Sequence, residues 1–228
     1  MCFSAEASFA GGVIISVVGV ATVRKIHKPS QILFACIPLF FGFQQIAEGL
    51  LWLTLPLTDY EGLQDISAYT FLIMAQVLWP VIIPVSVLLM EVSEKKKKIL
   101  FTLMLVGAAL SVYYAVCLLT FNINPQIKGY HIFYANDFPG SLRIVSFIFY
   151  LTATITPLFV SSIKRTHLLG ILMTFSCLIT GIFFTQFLLS VWCFFAALIS
   201  GVIYWILSDS RIKFNFEKLQ LLKISSKD

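Results

Sequence analysis

Lys95-Lys96-Lys97-Lys98 is followed by ILFTLMLVGAALSVYYAVCLLT, residues 99–120, a run without one charged residue. A hydrocarbon core about 30 Å thick takes about 20 residues of helix to cross. This run is long enough, and the four lysines mark the end that stays in water. Working outward with the same ruler gives spans at 7–23, 32–55 and 67–90 before it, and 142–162, 168–186 and 189–207 after it. The expected fold is all-α: a polytopic integral membrane bundle of about seven transmembrane helices.

Composition agrees. Of 228 residues, 59% are hydrophobic and 12% charged, whereas a soluble domain is about 45–50% apolar and about 25% charged. The net charge of +5 comes from clusters between spans. Arg24, Lys25 and Lys28 lie between the first and second spans, Lys95–Lys98 between the third and fourth, and Lys164 and Arg165 between the fifth and sixth. Arg211, Lys213, Lys218, Lys223 and Lys227 lie in the tail, so Lys128 and Arg143 alone fall elsewhere. Cytoplasmic loops carry the Lys/Arg excess. The N-terminus is therefore expected outside, the C-terminus in the cytoplasm, and the chain in the cell (inner) membrane.

Basic residues flank 168–207 on both sides, so an even number of crossings is needed there, and a hairpin near Gln186 supplies it. The first apolar run precedes its charges, which is the reverse of a cleavable signal. Two parts are expected: a transmembrane domain over 1–210 and a basic tail over 211–228. In the tail, Ile212, Phe216, Leu219 and Leu222 have the spacing of an interfacial amphipathic helix.

The charge pattern and residue inventory exclude several functions. The basic residues form topological clusters rather than a basic face, so no nucleic-acid partner is expected. Five cysteines, Cys2, Cys36, Cys117, Cys177 and Cys193, lack metal-ligand spacing. The three histidines, His27, His131 and His167, are divided between the two membrane faces, too few on either for a zinc hydrolase. No lysine lies within a span to hold a retinal, and no phosphate loop or serine-nucleophile elbow is present. No metal and no cofactor are expected; membrane lipids and a small-molecule or lipid ligand are the expected partners.

The second span carries the candidate chemistry. Gln44, Glu48 and Trp52 share a helix face at four-residue spacing, and Gln45 borders it. An ionisable group at this depth faces the bundle interior and marks function by default. Burial favours its neutral form, so protonation of Glu48 could couple to ligand occupancy. Gln76 and Trp79 precede Pro80, one of several prolines (Pro38, Pro80, Pro84, Pro157) whose missing N–H frees a carbonyl, for a ligand or for neighbouring groups. On the outer side, Tyr130, His131, Gln186 and Trp192 complete a possible polar pocket. Ser4 reads as an N-cap of the first helix. In that helix, Ser8, Gly12 and Ser16 read as a packing stripe.

The opening Met1-Cys2-Phe3-Ser4-Ala5-Glu6-Ala7-Ser8-Phe9 resembles the start of an uncharacterised family of small bacterial multi-span membrane proteins beginning Met-Cys-Phe-Ser-Ala. The runs Phe41–Gly49, Leu78-Trp79-Pro80, Gly129-Tyr130-His131 and Ser190–Phe195 are similar to that family too. The resemblance implies a bacterial membrane protein and supplies no activity. Beside a structural or assembly subunit with no small-molecule site, two expectations follow from the residues. One is a sensor, carrier or binding protein with an outward-facing pocket around Glu48. The other is a membrane-embedded enzyme acting on a lipid or lipid-linked substrate near the outer leaflet. There Glu48 and His131 would exchange protons, and Cys2 or Ser4 would be the nucleophile.

Overall fold

A computed structural model describes residues 4–183 and 195–208. Helices α1 (Ala5–Val23) and α2 (Ile32–Thr54) form the first hairpin. Helix α3 (Glu61–Leu72) runs through a π-helical segment (Ile73–Leu78) into α4 (Trp79–Met90). Then come α5 (Glu94–Thr120), strands β1 (Ile123–Lys128) and β2 (His131–Asn136), α6 (Arg143–Val160), α7 (Lys164–Phe183) and α8 (Ala196–Ser208).

Among the described residues, six helical stretches are long and apolar enough to cross a membrane: Ala5–Val23, Pro29–Thr54, Thr58–Met90, Glu94–Thr120, Gly140–Val160 and Lys164–Phe183. That is the make-up of a multi-pass membrane protein. Helix α8 is apolar but shorter. The hairpin expected at Gln186 and the tail 211–228 lie outside the described residues. Large apolar side chains cover the outside of the bundle, with Val112 63%, Ile144 73% and Leu119 87% exposed. Water would not tolerate a continuous apolar surface of this kind, and lipid does.

Two differences from the sequence reading have simple causes. Helix α5 begins at Glu94, so the lysine cluster forms its first turns and carries the helix beyond the apolar run. Glu94 pairs with Lys97 at 3.1 Å, adding negative charge at a helix N-terminus. The segment between the expected spans 99–120 and 142–162 is an antiparallel hairpin, with Lys128 opposite His131 and Ile123 opposite Asn136. Gly129 makes its tight turn with φ of 62°, a conformation that glycine adopts without a Cβ clash. Ile132 and Tyr134 alternate inward and are buried, and the Tyr134 ring stacks on Phe71 at 4.9 Å.

The π segment follows from Pro80, which has no N–H to donate. Trp79 donates back to Met74, five residues earlier. Of the carbonyls in this stretch, Ala75 accepts from the Tyr150 hydroxyl of α6 at 2.7 Å and Val77 from Ser111 of α5 at 2.5 Å. Neighbouring helices thus satisfy these two groups. Further along, Pro84 leaves the Pro80 carbonyl without its usual helical donor, and that oxygen projects at Gly107 of α5. A Cβ at Gly107 would fall far inside van der Waals contact with it.

The loops that carry the basic clusters gather at one end of the bundle, opposite the β-hairpin. Val23, Ile26, Val87, Met90, Leu100, Leu158 and Leu207 share a core cluster there, and Arg165 of α7 lies over the Trp205 ring of α8 at 3.9 Å. At this end Glu91, 4% exposed, joins two loops. Its carboxylate accepts from the backbone of Val92 and Ser93 at 2.9 Å each, and from the backbone and hydroxyl of Ser162 at 2.7 Å each. Burial pushes this carboxyl up, but the bonds from Ser93, Ser162 and Val92 together outweigh it and hold it below the usual carboxylate range.

Candidate functional site

Helix α2 points three polar side chains into the bundle. Gln44 is 1% exposed, and Gln45 and Glu48 are 0% exposed. Their one-turn spacing puts Gln44 and Glu48 in line, with Gln45 turned toward α1. Gln44 accepts from the indole N–H of Trp79 at 2.9 Å. The same indole stacks on Phe41 at 4.2 Å and meets Phe40 edge-on at 6.5 Å. Gln45 Nε2 donates to Glu48 Oε2 at 3.5 Å, the long limit for such a bond.

The Gln44–Trp79 bond fixes the register of α2 against the Thr58–Met90 rod. Leu51 shares a core cluster with Phe71, Leu72 and Ala75, so the two helices run antiparallel. One turn from Gln44 toward the hairpin end lies Glu48. The same step from Trp79 reaches Gln76, which is 7% exposed and occupies the π segment. Its Oε1 has no hydrogen-bond partner among the described residues, and neither does Oε1 of Gln45.

Helix α1 reaches the same level. An added Cβ on Gly12 would sit 3.1 Å from the Gly42 carbonyl and 3.4 Å from Gln45 Cβ, and one on Gly49 3.1 Å from the Phe9 ring. The expected small-residue stripe is therefore the α1–α2 contact. Ser8, beside Phe9 on that face, is 0% exposed, and its hydroxyl has no partner among the described residues. Other hydroxyls in these helices bond back to their own helix, as Ser16 does to Gly12 at 2.7 Å and Thr22 to Val18 at 2.7 Å. Ser8 was legible only as a packing residue, because nothing in its spacing distinguishes it from Ser16.

Toward the hairpin end the polar level is roofed by apolar groups: Leu51, Phe71, Leu118 and, from β2, Ile132 and Tyr134. Trp52 packs against this roof, with its indole N–H unpartnered among the described residues. His131 is half-buried and adjoins Ile132 on β2. Tyr130 sits at the hairpin turn, 77% exposed. Ser4 is the N-cap of α1, accepting from the Ala7 backbone at 3.2 Å. Cys2, Gln186 and Trp192 lie outside the described residues. Glu91 was not among the sequence candidates, because an acid beside a lysine cluster reads as a solvated cap.

Two bonded pairs thus lie on α2, Gln44 with Trp79 and Gln45 with Glu48, while Gln76 and Ser8 are buried on the helical stretches packed to either side. These side chains can accept and donate hydrogen bonds in a buried setting. No trio of His, Cys, Asp or Glu comes together among the described residues, so the donors here are carboxyl, amide and hydroxyl oxygens. The chain belongs to a family of unknown function, DUF6629, whose model matches residues 1–216. No curated protein and no solved structure matches it.

Proposed function

We propose that this member of the family is a ligand-handling protein of the bacterial cell (inner) membrane, a sensor, carrier or binding protein whose site is the polar level at Glu48. The observation that carries the reading is a set of buried polar atoms without partners among the described residues: Gln45 Oε1, Gln76 Oε1 and Ser8 Oγ. A buried polar atom left unsatisfied costs about 1–3 kcal/mol. Three together approach the whole net stability of a typical fold, about 5–15 kcal/mol. A bound molecule that satisfies them offsets that cost.

The gathering of basic loops at one end supports a cytoplasmic placement of that end. The hairpin then caps the outer end, and access to Glu48 runs past the roof of Leu51, Phe71, Ile132 and Tyr134. Seven crossings with the N-terminus outside fit this placement, with α8 as the inner part of the seventh.

The test compares wild type with Glu48→Gln, both gently extracted and shown monodisperse, by native mass spectrometry. The expected result is a bound species on wild type that is lost from the variant. Identical bound species on both proteins, or none on either, would remove the basis of the reading.

A further inference from the structure

We infer that a groove on α1 binds an anionic phospholipid from the leaflet at the basic end of the bundle, with its phosphate on Arg24 and one acyl chain laid along the helix. The inference stands apart from the reading of Glu48.

The groove is built by helical spacing. Val13, Val17, Val20 and Arg24 follow at steps of four, three and four residues, so they share one face of α1. The three valines are 58%, 64% and 46% exposed. With Arg24 they line a groove of about 440 Å³, to which α2 contributes Ile46. Ile46 closes the end away from Arg24, because an added Cβ on Gly12 would lie 3.0 Å from its Cγ1. Ser16 also lines the groove, but its hydroxyl is committed to the Gly12 carbonyl at 2.7 Å.

Charge selects the headgroup. The groove is apolar except where Arg24 ends it, and that guanidinium is exposed and has no ion pair among the described residues. Residues 7–47 contain Arg24, Lys25 and Lys28 and no acid. A guanidinium offers a phosphate two parallel N–H donors. Lipid tails are as apolar as the valines, so moving a tail from the bilayer into the groove discriminates little. The head therefore supplies the selectivity, and an anionic one gains more at Arg24 and Lys25 than a zwitterionic one.

Length selects the occupant. The groove begins midway along α1 and ends at its C-cap, Arg24. From Val13 to Arg24 the helix rises about 16 Å, half of a hydrocarbon core about 30 Å thick. That is the depth of one leaflet, and so the reach of a lipid tail anchored by its head. A transmembrane helix from a second copy or another protein needs a seam across both leaflets. The tail 211–228 of this chain is itself basic, and like charge keeps it from Arg24.

The experiment uses the full chain, delipidated in nonionic detergent and melted by tryptophan fluorescence. The additions are phosphatidylglycerol, phosphatidylcholine with the same acyl chains, or glycerol phosphate. A ligand of the folded state raises Tm saturably. We expect this for phosphatidylglycerol, a weaker response to phosphatidylcholine and none to glycerol phosphate. Arg24→Gln should weaken the apparent affinity for phosphatidylglycerol about fivefold, the contribution of one basic residue at an anionic lipid surface. Val17→Phe fills the groove from an exposed position and should weaken the response to both lipids. Lys95→Gln, in the basic cluster of α5, should leave both responses unchanged.

Equal responses of the wild type to the two phospholipids overturn the inference, and that comparison needs no variant to fold. Equal weakening by Arg24→Gln and Lys95→Gln overturns it too, since the basic end would then attract lipid without a site. An unchanged response in Val17→Phe removes the groove. Stabilisation by glycerol phosphate as strong as by phosphatidylglycerol makes the site one for free anions, and a dimer that Val17→Phe dissociates assigns the groove to a second copy; either result overturns the lipid.

Discussion

Replacing Glu91 should destabilise the bundle and change how its stability depends on acid. Four donors converge on this carboxylate, three of them to Oε1 (the Val92 and Ser93 backbone and the Ser162 hydroxyl) and one, the Ser162 backbone, to Oε2. Glu91→Ala leaves all four without an acceptor. Each hydrogen bond to a charged group contributes about 1.5–3 kcal/mol, but water at the loop edge recovers part of it, so the expected loss is about 3 kcal/mol.

Glu91→Gln keeps one oxygen. With that oxygen in the place of Oε1, the amide NH2 faces the Ser162 N–H, donor against donor, and the loss is about 1–2 kcal/mol. The sign of the pH effect follows from the direction of the shift. The folded protein holds this carboxyl below its unfolded value, so the unfolded state binds the proton first. The stabilisation is complete above the ordinary carboxylate value, about 4.3 for Glu, and is lost as pH falls through the lower folded value.

Reversible unfolding in mixed SDS–detergent micelles, followed by tryptophan fluorescence between pH 7 and pH 3, measures both effects. Wild type should lose more stability toward low pH than Glu91→Gln, which has no proton to take up there. Parallel pH profiles, or a loss below about 0.5 kcal/mol for Glu91→Ala, the level of an ordinary surface change, would refute the argument.

Three further outcomes are expected. Gly107→Ala drives a methyl into the Pro80 backbone carbonyl, and a backbone oxygen has little room to yield; the expected loss is about 1–3 kcal/mol by the same SDS titration. Trp79→Phe leaves the Gln44 oxygen without its indole donor, and a double-mutant cycle with Gln44→Leu should return a coupling of about 0.6–1.7 kcal/mol, the range for hydrogen bonds between membrane helices. Ile132→Ala removes a fully buried side chain from the hairpin's contact with the bundle, with an expected loss of about 2–4 kcal/mol and faster amide exchange in β1 and β2.

Much of the helical plan was legible because lipid imposes a length and water imposes a charge boundary. The run 99–120 and its lysines located α5 by those two rules alone. The rules say nothing about helix that extends into water, and so α5 starts at Glu94 and the third helix at Glu61, both before the apolar runs begin. The hairpin was illegible for a different reason. Its two inward residues, Ile132 and Tyr134, are too few for a periodic signal, and their burial depends on Phe71 and Leu118 from distant helices.

The polar face of α2 was readable from the Gln44, Gln45 and Glu48 spacing, because a carboxyl within an apolar span has few explanations. Gln76 was singled out by its position before Pro80, and the Gln44–Trp79 bond sets the register of its helix against α2. Ser8 could not have been found, since serines in membrane helices usually bond to their own backbone and look the same in sequence whether they do or not.

The two buried acids show why burial alone does not mark a functional group. Glu91 lies at the end of α4, where the chain leaves the helix and supplies free backbone N–H groups. Its charge is answered by donors from its own loop and from Ser162 across the bundle. Such an acid needs nothing more, and its role is to fasten two loops. Glu48 lies in mid-helix, where each backbone N–H is committed to the helix and cannot turn to a side chain. Gln45 donates to it from Nε2, and the Oε1 of that same amide has no partner among the described residues. At Glu91 the free N–H groups of a loop answer the carboxylate, whereas at Glu48 the answer has to come from side chains, of which Gln45 is one.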